Sequence, residues 1–298
     1  MQFVLILLVI AGGMGLSVEA GLLGPLGGEV GDLWATFSIF GVGAALTFLL
    51  MLFFSPRSSP SFFAQPGWQL LGGVLGPVYV VILTIATPTI GIALTMIGIL
   101  AGQVFKSLII DHFGLLGTPH RKINAKRIVA LVFIIAALIL VAQGDYMTLI
   151  MILLAVCGGA TLSIQAAING QLGSSVGVFK SAFLTFSVGA LVTALLIFFF
   201  EPKQAVTLLD VPKWQLLGAM FGVPYIVIMV LAVQRIGTAV ATVAVIFGQL
   251  AMSMLIDNFG WLGNPAIPFS PSRLSAVVCL GIALYFIYSS SKTGSVRD

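Results

Sequence analysis

Apolar positions run along this chain in long unbroken stretches, separated by short polar breaks. The stretches lie at approximately 3–24, 34–54, 68–87, 89–110, 127–143, 148–169, 180–200, 214–233, 236–256 and 273–290. Each is close to the roughly 20 residues that an α-helix needs to cross a bilayer. The breaks carry the residues that end helices or seek water: Ser55-Pro56-Arg57-Ser58-Ser59-Pro60-Ser61, Thr87-Pro88, the basic stretch His120–Arg127, and Gln143-Gly144-Asp145. Closed barrels are the other structures that span lipid. Their strands alternate apolar and polar residues over about ten positions, and these runs do not alternate. The pattern predicts an all-α integral membrane protein with ten transmembrane helices.

The runs form a repeat. Trp68-Gln69-Leu70-Leu71-Gly72 recurs as Trp214-Gln215-Leu216-Leu217-Gly218, an offset of 214 − 68 = 146. The same offset carries Gly102-Gln103 onto Gly248-Gln249, Ser107 onto Ser253, and Asp111-His112-Phe113-Gly114 onto Asp257-Asn258-Phe259-Gly260. Between 68 and 117, 22 of 50 positions are identical without a gap, more than shared hydrophobicity produces. Upstream, Gly12-Gly13 falls on Gly158-Gly159 and Gly43 on Gly189. We therefore expect one five-helix repeat over 1–146 and a second over 147–298, the latter including a short C-terminal tail.

Five is an odd number, so the second copy enters the membrane from the opposite face and the repeats are inverted. With the N-terminus on one side, that side carries Arg57, Arg121, Lys122, Lys126, Arg127, Lys180, Arg235, Lys292 and Arg297. The other carries Lys203, Lys213 and Arg273. The positive-inside bias makes the first side cytoplasmic, with both termini inside. Inverted repeats are a recurrent architecture of secondary transporters, in which exchanging the conformations of two similar units moves the opening from one side to the other.

Composition narrows the function classes. The chain is 59% hydrophobic and 7% charged, whereas soluble domains carry about 25% charged residues. The net charge of +4 sits in inter-helix loops and forms no stripe for nucleic acid. Cys157 and Cys279 lie inside apolar runs without ligand spacing and read as small buried hydrophobes. No Lys or Arg precedes the run beginning at Phe3, and the run has a second-half counterpart, so we expect a retained span and not a signal peptide. No phosphate-binding loop, nucleophile elbow or metal-binding His pair occurs. An enzyme and a cofactor are therefore not expected, and transport would run on an ion gradient or downhill.

Ionisable groups inside hydrocarbon are costly and mark function by default. Glu19 lies in the first run and shares a helix face with Gly12 and Gly15. It reads either as a group that binds a proton or a cationic substrate in exchange, or as a solvated residue at the outer interface if the glycines end the helix early. Its counterpart is Gln165, one turn from Asn169, suited to substrate binding or to helix cross-linking. Gln103, Ser107 and Asp111 form a polar stripe at four-residue spacing, repeated by Gln249, Ser253 and Asp257. The glutamines and serines line a pathway or join the units, and the aspartates fasten loops. Gly76, Pro77 and Tyr79, matched by Gly222, Pro224 and Tyr225, predict a kink in each third helix that turns Tyr79 and Tyr225 to the centre. Trp68 and Trp214 are interfacial anchors. Lys106, opposite Met252 in the repeat, snorkels.

Three of these features together resemble one family. The Gln165-x-x-x-Asn169 element, the Trp-Gln-Leu-Leu-Gly start, and Gly-Gln-x-x-x-Ser followed by Asp-His/Asn-Phe-Gly resemble the YdcZ-type branch of the drug/metabolite transporter superfamily, bacterial inner-membrane proteins of which many are single five-helix units. The resemblance implies a ten-helix drug/metabolite transporter-like fold as a fused pair, a small-molecule substrate and export. In the lipid bilayer we expect a monomer or homodimer, a fused pair having less need to dimerise. The first copy departs from the amide element, with Glu19 and Leu23 in its place. A Glu in the first helix also resembles the small multidrug resistance exporters, where it binds protons and cations alternately, although that likeness rests on one residue. The rival readings are an uncoupled facilitator or channel and a non-transporting membrane scaffold subunit.

Overall fold

The computed structural model describes residues 2–55, 60–117, 123–141, 146–201, 206–236 and 238–294. Among them are ten α-helices, one for each apolar run: α1 Gln2–Val30, α2 Asp32–Phe54, α3 Gly72–Ile90, α4 Ile92–Phe113, α5 Ala125–Val141, α6 Tyr146–Val176, α7 Val178–Phe200, α8 Ala219–Ile236, α9 Thr238–Phe259 and α10 Pro271–Gly294. Among the described residues, eight stretches are long and apolar enough to cross a membrane. The other two, α5 with 17 residues and α8 with 18, are the repeat counterparts of α10 and α3, which qualify.

Helices α1 and α6 run past their expected ends at 24 and 169, through glycines and, in α1, through Pro25. A proline frees the carbonyl one turn before it. Here that carbonyl is Gly21 O, and the Asn264 side-chain amide donates to it at 2.8 Å. The helix continues because its lost bond is replaced, as buried backbone requires. Gly31 and Gly177, both at φ 91°, then reverse the chain in one residue between α1 and α2 and between α6 and α7. Only glycine adopts that conformation without strain.

The repeats interlock. Helix α1 packs on α8 and α9 of the second repeat, and α6 packs on α3 and α4 of the first. Equivalent helices meet across the pseudo-twofold axis: α2 with α7, α4 with α9, and α5 with α10. On the axis, the Phe40 and Phe186 rings lie 5.8 Å apart. Each rests over the other repeat's glycine, Phe186 on Gly43 and Phe40 on Gly189. In lipid no hydrophobic effect pulls helices together, so close approach of small residues must do so. Gly13 meets the Val245 carbonyl and Gly248 that of Ile10; Gly159 meets Ile99 and Gly102 meets Val156. One hydroxyl seals each crossing: Ser17 donates to Gln249 O at 2.7 Å and Ser163 to Gln103 O at 2.9 Å.

Large apolar side chains such as Phe53, Phe198 and Leu153 face outward, as a lipid-solvated surface demands. Trp68 and Trp214 are exposed at the starts of their spans, fitting interfacial anchors. Cys157 was expected to be buried and is exposed. It shares the outward side of α6 with Leu153 and Leu154, where a thiol behaves as a small apolar group.

Candidate functional site

Glu19 sits in the middle of α1, deep in the helix packing and only 9% exposed. Its place is set by α8. A methyl group at Gly222 would lie 2.7 Å from a Glu19 carboxylate oxygen, and one at Gly218 would lie 3.6 Å from its Cγ. Gly222 of α8 and Gly218, just before the start of α8, thus form the shelf on which the carboxylate rests. Tyr79 of α3 lies within electrostatic reach of Glu19 and of Tyr225 of α8, and the Tyr225 ring packs on Gly12, 3.5 Å from its Cβ position. Tyr79 therefore lies in the neighbourhood of both Glu19 and Tyr225. Among the described residues the Glu19 carboxylate has no hydrogen-bond or ion-pair partner. An ionised carboxylate so placed needs a cation or a proton beside it.

The second repeat builds the same seat around a neutral group. Gln165, 8% exposed, puts its Nε2 2.9 Å from the Cβ position of Gly76, the repeat counterpart of Gly222, with Phe40 alongside. Asn169 rests on Gly72, accepts the Thr185 hydroxyl at its side-chain oxygen (3.0 Å), and accepts that of Ser181 at its carbonyl (3.1 Å). These bonds tie α6 to α7. The signal for both shelves was present in the sequence as glycines identical at the 146-residue offset, Gly72/Gly218 and Gly76/Gly222. Spacing alone does not say which helix they face.

The polar stripes of α4 and α9 stand apart from Glu19 in their bonding. The carbonyls of Gln103 and Gln249 hold Ser163 and Ser17, so their helix turns join the repeats. Gln249 and Ser253 are buried, and Ser253 donates to Leu250 O of its own helix at 3.0 Å. The side chains of Ser107 and Asp111 lie outside the described residues. Asp257 is a fastener across the repeats. Its carboxylate accepts the N–H groups of Ile92 and Ala93 at 2.8 and 2.9 Å, capping α4. It also pairs with Arg273 at 3.3 Å, while its carbonyl accepts Ile267 N at 2.6 Å. A cleft of about 390 Å³ opens beside Arg273, Thr89 and Thr148. Neither Glu19 nor Gln165 lines it.

At the far end of α1 from the N-terminus, the Gln215 amide donates to Glu29 at 3.0 Å and the Trp34 indole donates to Glu201 O at 3.3 Å. Partial burial at the end of α7 pushes the Glu201 carboxyl above its ordinary value. Among the described residues, no three His, Cys, Asp or Glu side chains gather as metal ligands.

A family model described as "Putative inner membrane exporter, YdcZ" matches twice in tandem, over residues 4–140 and 150–286. No curated protein matches the chain. A solved crystal structure of a protein is similar over 95% of this chain and 97% of its own, with a TM-score of 0.61 and 16% identity. A likeness at that identity concerns the fold.

Proposed function

The chain belongs to the YdcZ family of inner-membrane exporters, and we propose that it is a secondary transporter that exports a small metabolite or organic cation in exchange for protons bound at Glu19. One observation carries the reading: a single buried carboxylate, seated on Gly222, without a cationic partner among the described residues. Such a group is satisfied by a proton or by an incoming cation, and the two exclude each other. That exclusion is exchange. Tyr79 and Tyr225 add aromatic faces, which attract organic cations, and Gln165 supplies neutral polar contact from the other repeat. The loop charges support an orientation with both termini in the cytoplasm.

The experiment is uptake of organic-cation probes, tetraphenylphosphonium and ethidium, into proteoliposomes under an imposed pH gradient. The native chain should concentrate a probe only while the gradient stands, and Glu19→Gln should abolish that uptake while the protein remains monodisperse. Flux independent of the gradient would instead indicate an uncoupled facilitator. No flux with any probe or metabolite would favour a scaffold subunit.

A further inference from the structure

The cleft of about 390 Å³ beside Arg273 is built where three helices begin. Leu94 lines it from the first turn of α4, Thr148 from that of α6, and Ser272 and Arg273 from that of α10. Ser270, just before α10, and Thr89, at the end of α3, complete its polar wall. A helix start carries partial positive charge, so three of them around one space favour an anion. No carboxylate is among the described residues that line the cleft.

The side chains carry the argument further. Arg273 is 14% exposed, and among the described residues its guanidinium makes one bond, from Nη1 to Asp257 at 3.3 Å. A guanidinium has five N–H donors, and donors so largely buried require acceptors. Asp257 is itself shared, since its two oxygens also accept the N–H groups of Ile92 and Ala93. Ser270 caps α10 through the N–H of Arg273, at 3.3 Å, and the N–H of Ser272 has no acceptor among the described residues. The Ser270 and Ser272 hydroxyls lie 3.0 Å apart, so one donates to the other and the second keeps its proton for another acceptor. Neutralising Asp257 explains one donor of Arg273. It explains neither the space nor the other donors.

We infer that this cleft is a binding site for a phosphate group, held by the Arg273 guanidinium, the Ser270–Ser272 hydroxyl pair and the open N–H at the head of α10. A guanidinium fork matches two phosphate oxygens at once. The ends of spanning helices lie at the level of lipid headgroups, so the phosphate is that of a lipid or of an ion from the adjoining water, and the recognition chemistry is the same. Bound there, it sits between α4 of the first repeat and α6 and α10 of the second, beside the tie that Asp257 makes. Neither Glu19 nor Gln165 lines the cleft, so the site stands apart from the proposed exchange and is tested without flux.

The test is thermal unfolding of purified, delipidated protein in a neutral maltoside detergent. Dioctanoyl phosphatidylglycerol is compared with dioctanoylglycerol, which has the chains without the phosphate, and inorganic phosphate with chloride at equal ionic strength. A ligand held by the folded state raises the unfolding temperature saturably. A rise of about 2 °C or more is expected from a phosphate-bearing additive, and none from dioctanoylglycerol. A rise with phosphatidylglycerol alone assigns a lipid, a rise with inorganic phosphate alone assigns a free ion, and a rise with each shows that the site takes either. Two variants keep the fold and should lose the rise. Ser272→Glu puts a carboxylate beside the cleft in a first helical turn, where acidic residues are favourable. Asp257→Asn with Arg273→Gln removes both charges together and leaves neither unpaired. No rise in the native chain, an equal rise with dioctanoylglycerol, or a rise that survives in Ser272→Glu overturns the site.

Discussion

Helix α1 sets Glu19 against Gly222 of α8, and helix α6 sets Gln165 against Gly76 of α3, at positions 146 residues apart. The two seats are built alike: a glycine shelf on the third helix of the opposite repeat and a buried polar side chain resting on it. What differs is one functional group, a carboxyl where the twin has an amide. Duplication supplied two equivalent positions, and a charge is needed at only one of them for exchange. A second carboxylate near the axis would add like-charge repulsion in a medium that screens poorly. In the proposed exchange, coupling belongs to the first repeat and neutral contact to the second.

The largest effect should come from moving the carboxyl. Glu19→Gln alone is expected to reduce gradient-driven uptake to that of empty liposomes, and Gln165→Ala to weaken uptake while leaving it gradient-dependent. The exchange Glu19→Gln with Gln165→Glu should recover part of the coupled flux, because Gly76 offers the shelf that Gly222 does. Next in size is Asp257→Asn. It unbalances a largely buried ion pair with Arg273 and weakens the cap of α4, and should cost about 3 kcal/mol in detergent unfolding.

Smaller and paired effects sharpen the likeness of the repeats. Gly248→Ala and Gly102→Ala each place a methyl group into a facing backbone carbonyl. Each should destabilise by roughly 1–3 kcal/mol, by similar amounts, whereas Gly170→Ala should be close to neutral. Ser17→Ala and Ser163→Ala should each cost about 1 kcal/mol. Thermal unfolding of the four variants checks the symmetry, and a clear imbalance within either pair would break it. The smallest effect belongs to Glu201, which stands where the first repeat has Ser55. Its folded-state carboxyl is raised by partial burial, so its contribution to stability is present at acid pH and declines as pH rises through the raised value. Glu201→Gln should flatten that decline in unfolding temperature, slightly, since the side chain is only partly buried.

The repeat, the helix number and the candidate Glu19 were legible because they rest on chain order and on the cost of charge in hydrocarbon. Helix ends were less so. Glycine and proline stop helices in water, yet α1 passes through Gly24, Pro25 and Gly27 because neighbouring helices cover the glycines and Asn264 serves the freed carbonyl. The interlock of α1 with α8 and α9 was not legible. Nearly uniform apolar helices carry little facial contrast, and the glycines that decide the contacts look the same whichever helix they meet. The polar stripe of α9 was visible, but only the fold shows that the Gln249 backbone receives Ser17 and that Asp257 caps a helix of the other repeat.

The most direct test of exchange is proton release on binding, measured with purified protein in weakly buffered detergent solution as tetraphenylphosphonium is added. Native protein should release close to one proton for each cation bound, and Glu19→Gln should release none. Binding without proton release by the native chain, or release that survives in Glu19→Gln, would contradict the assignment of exchange to Glu19.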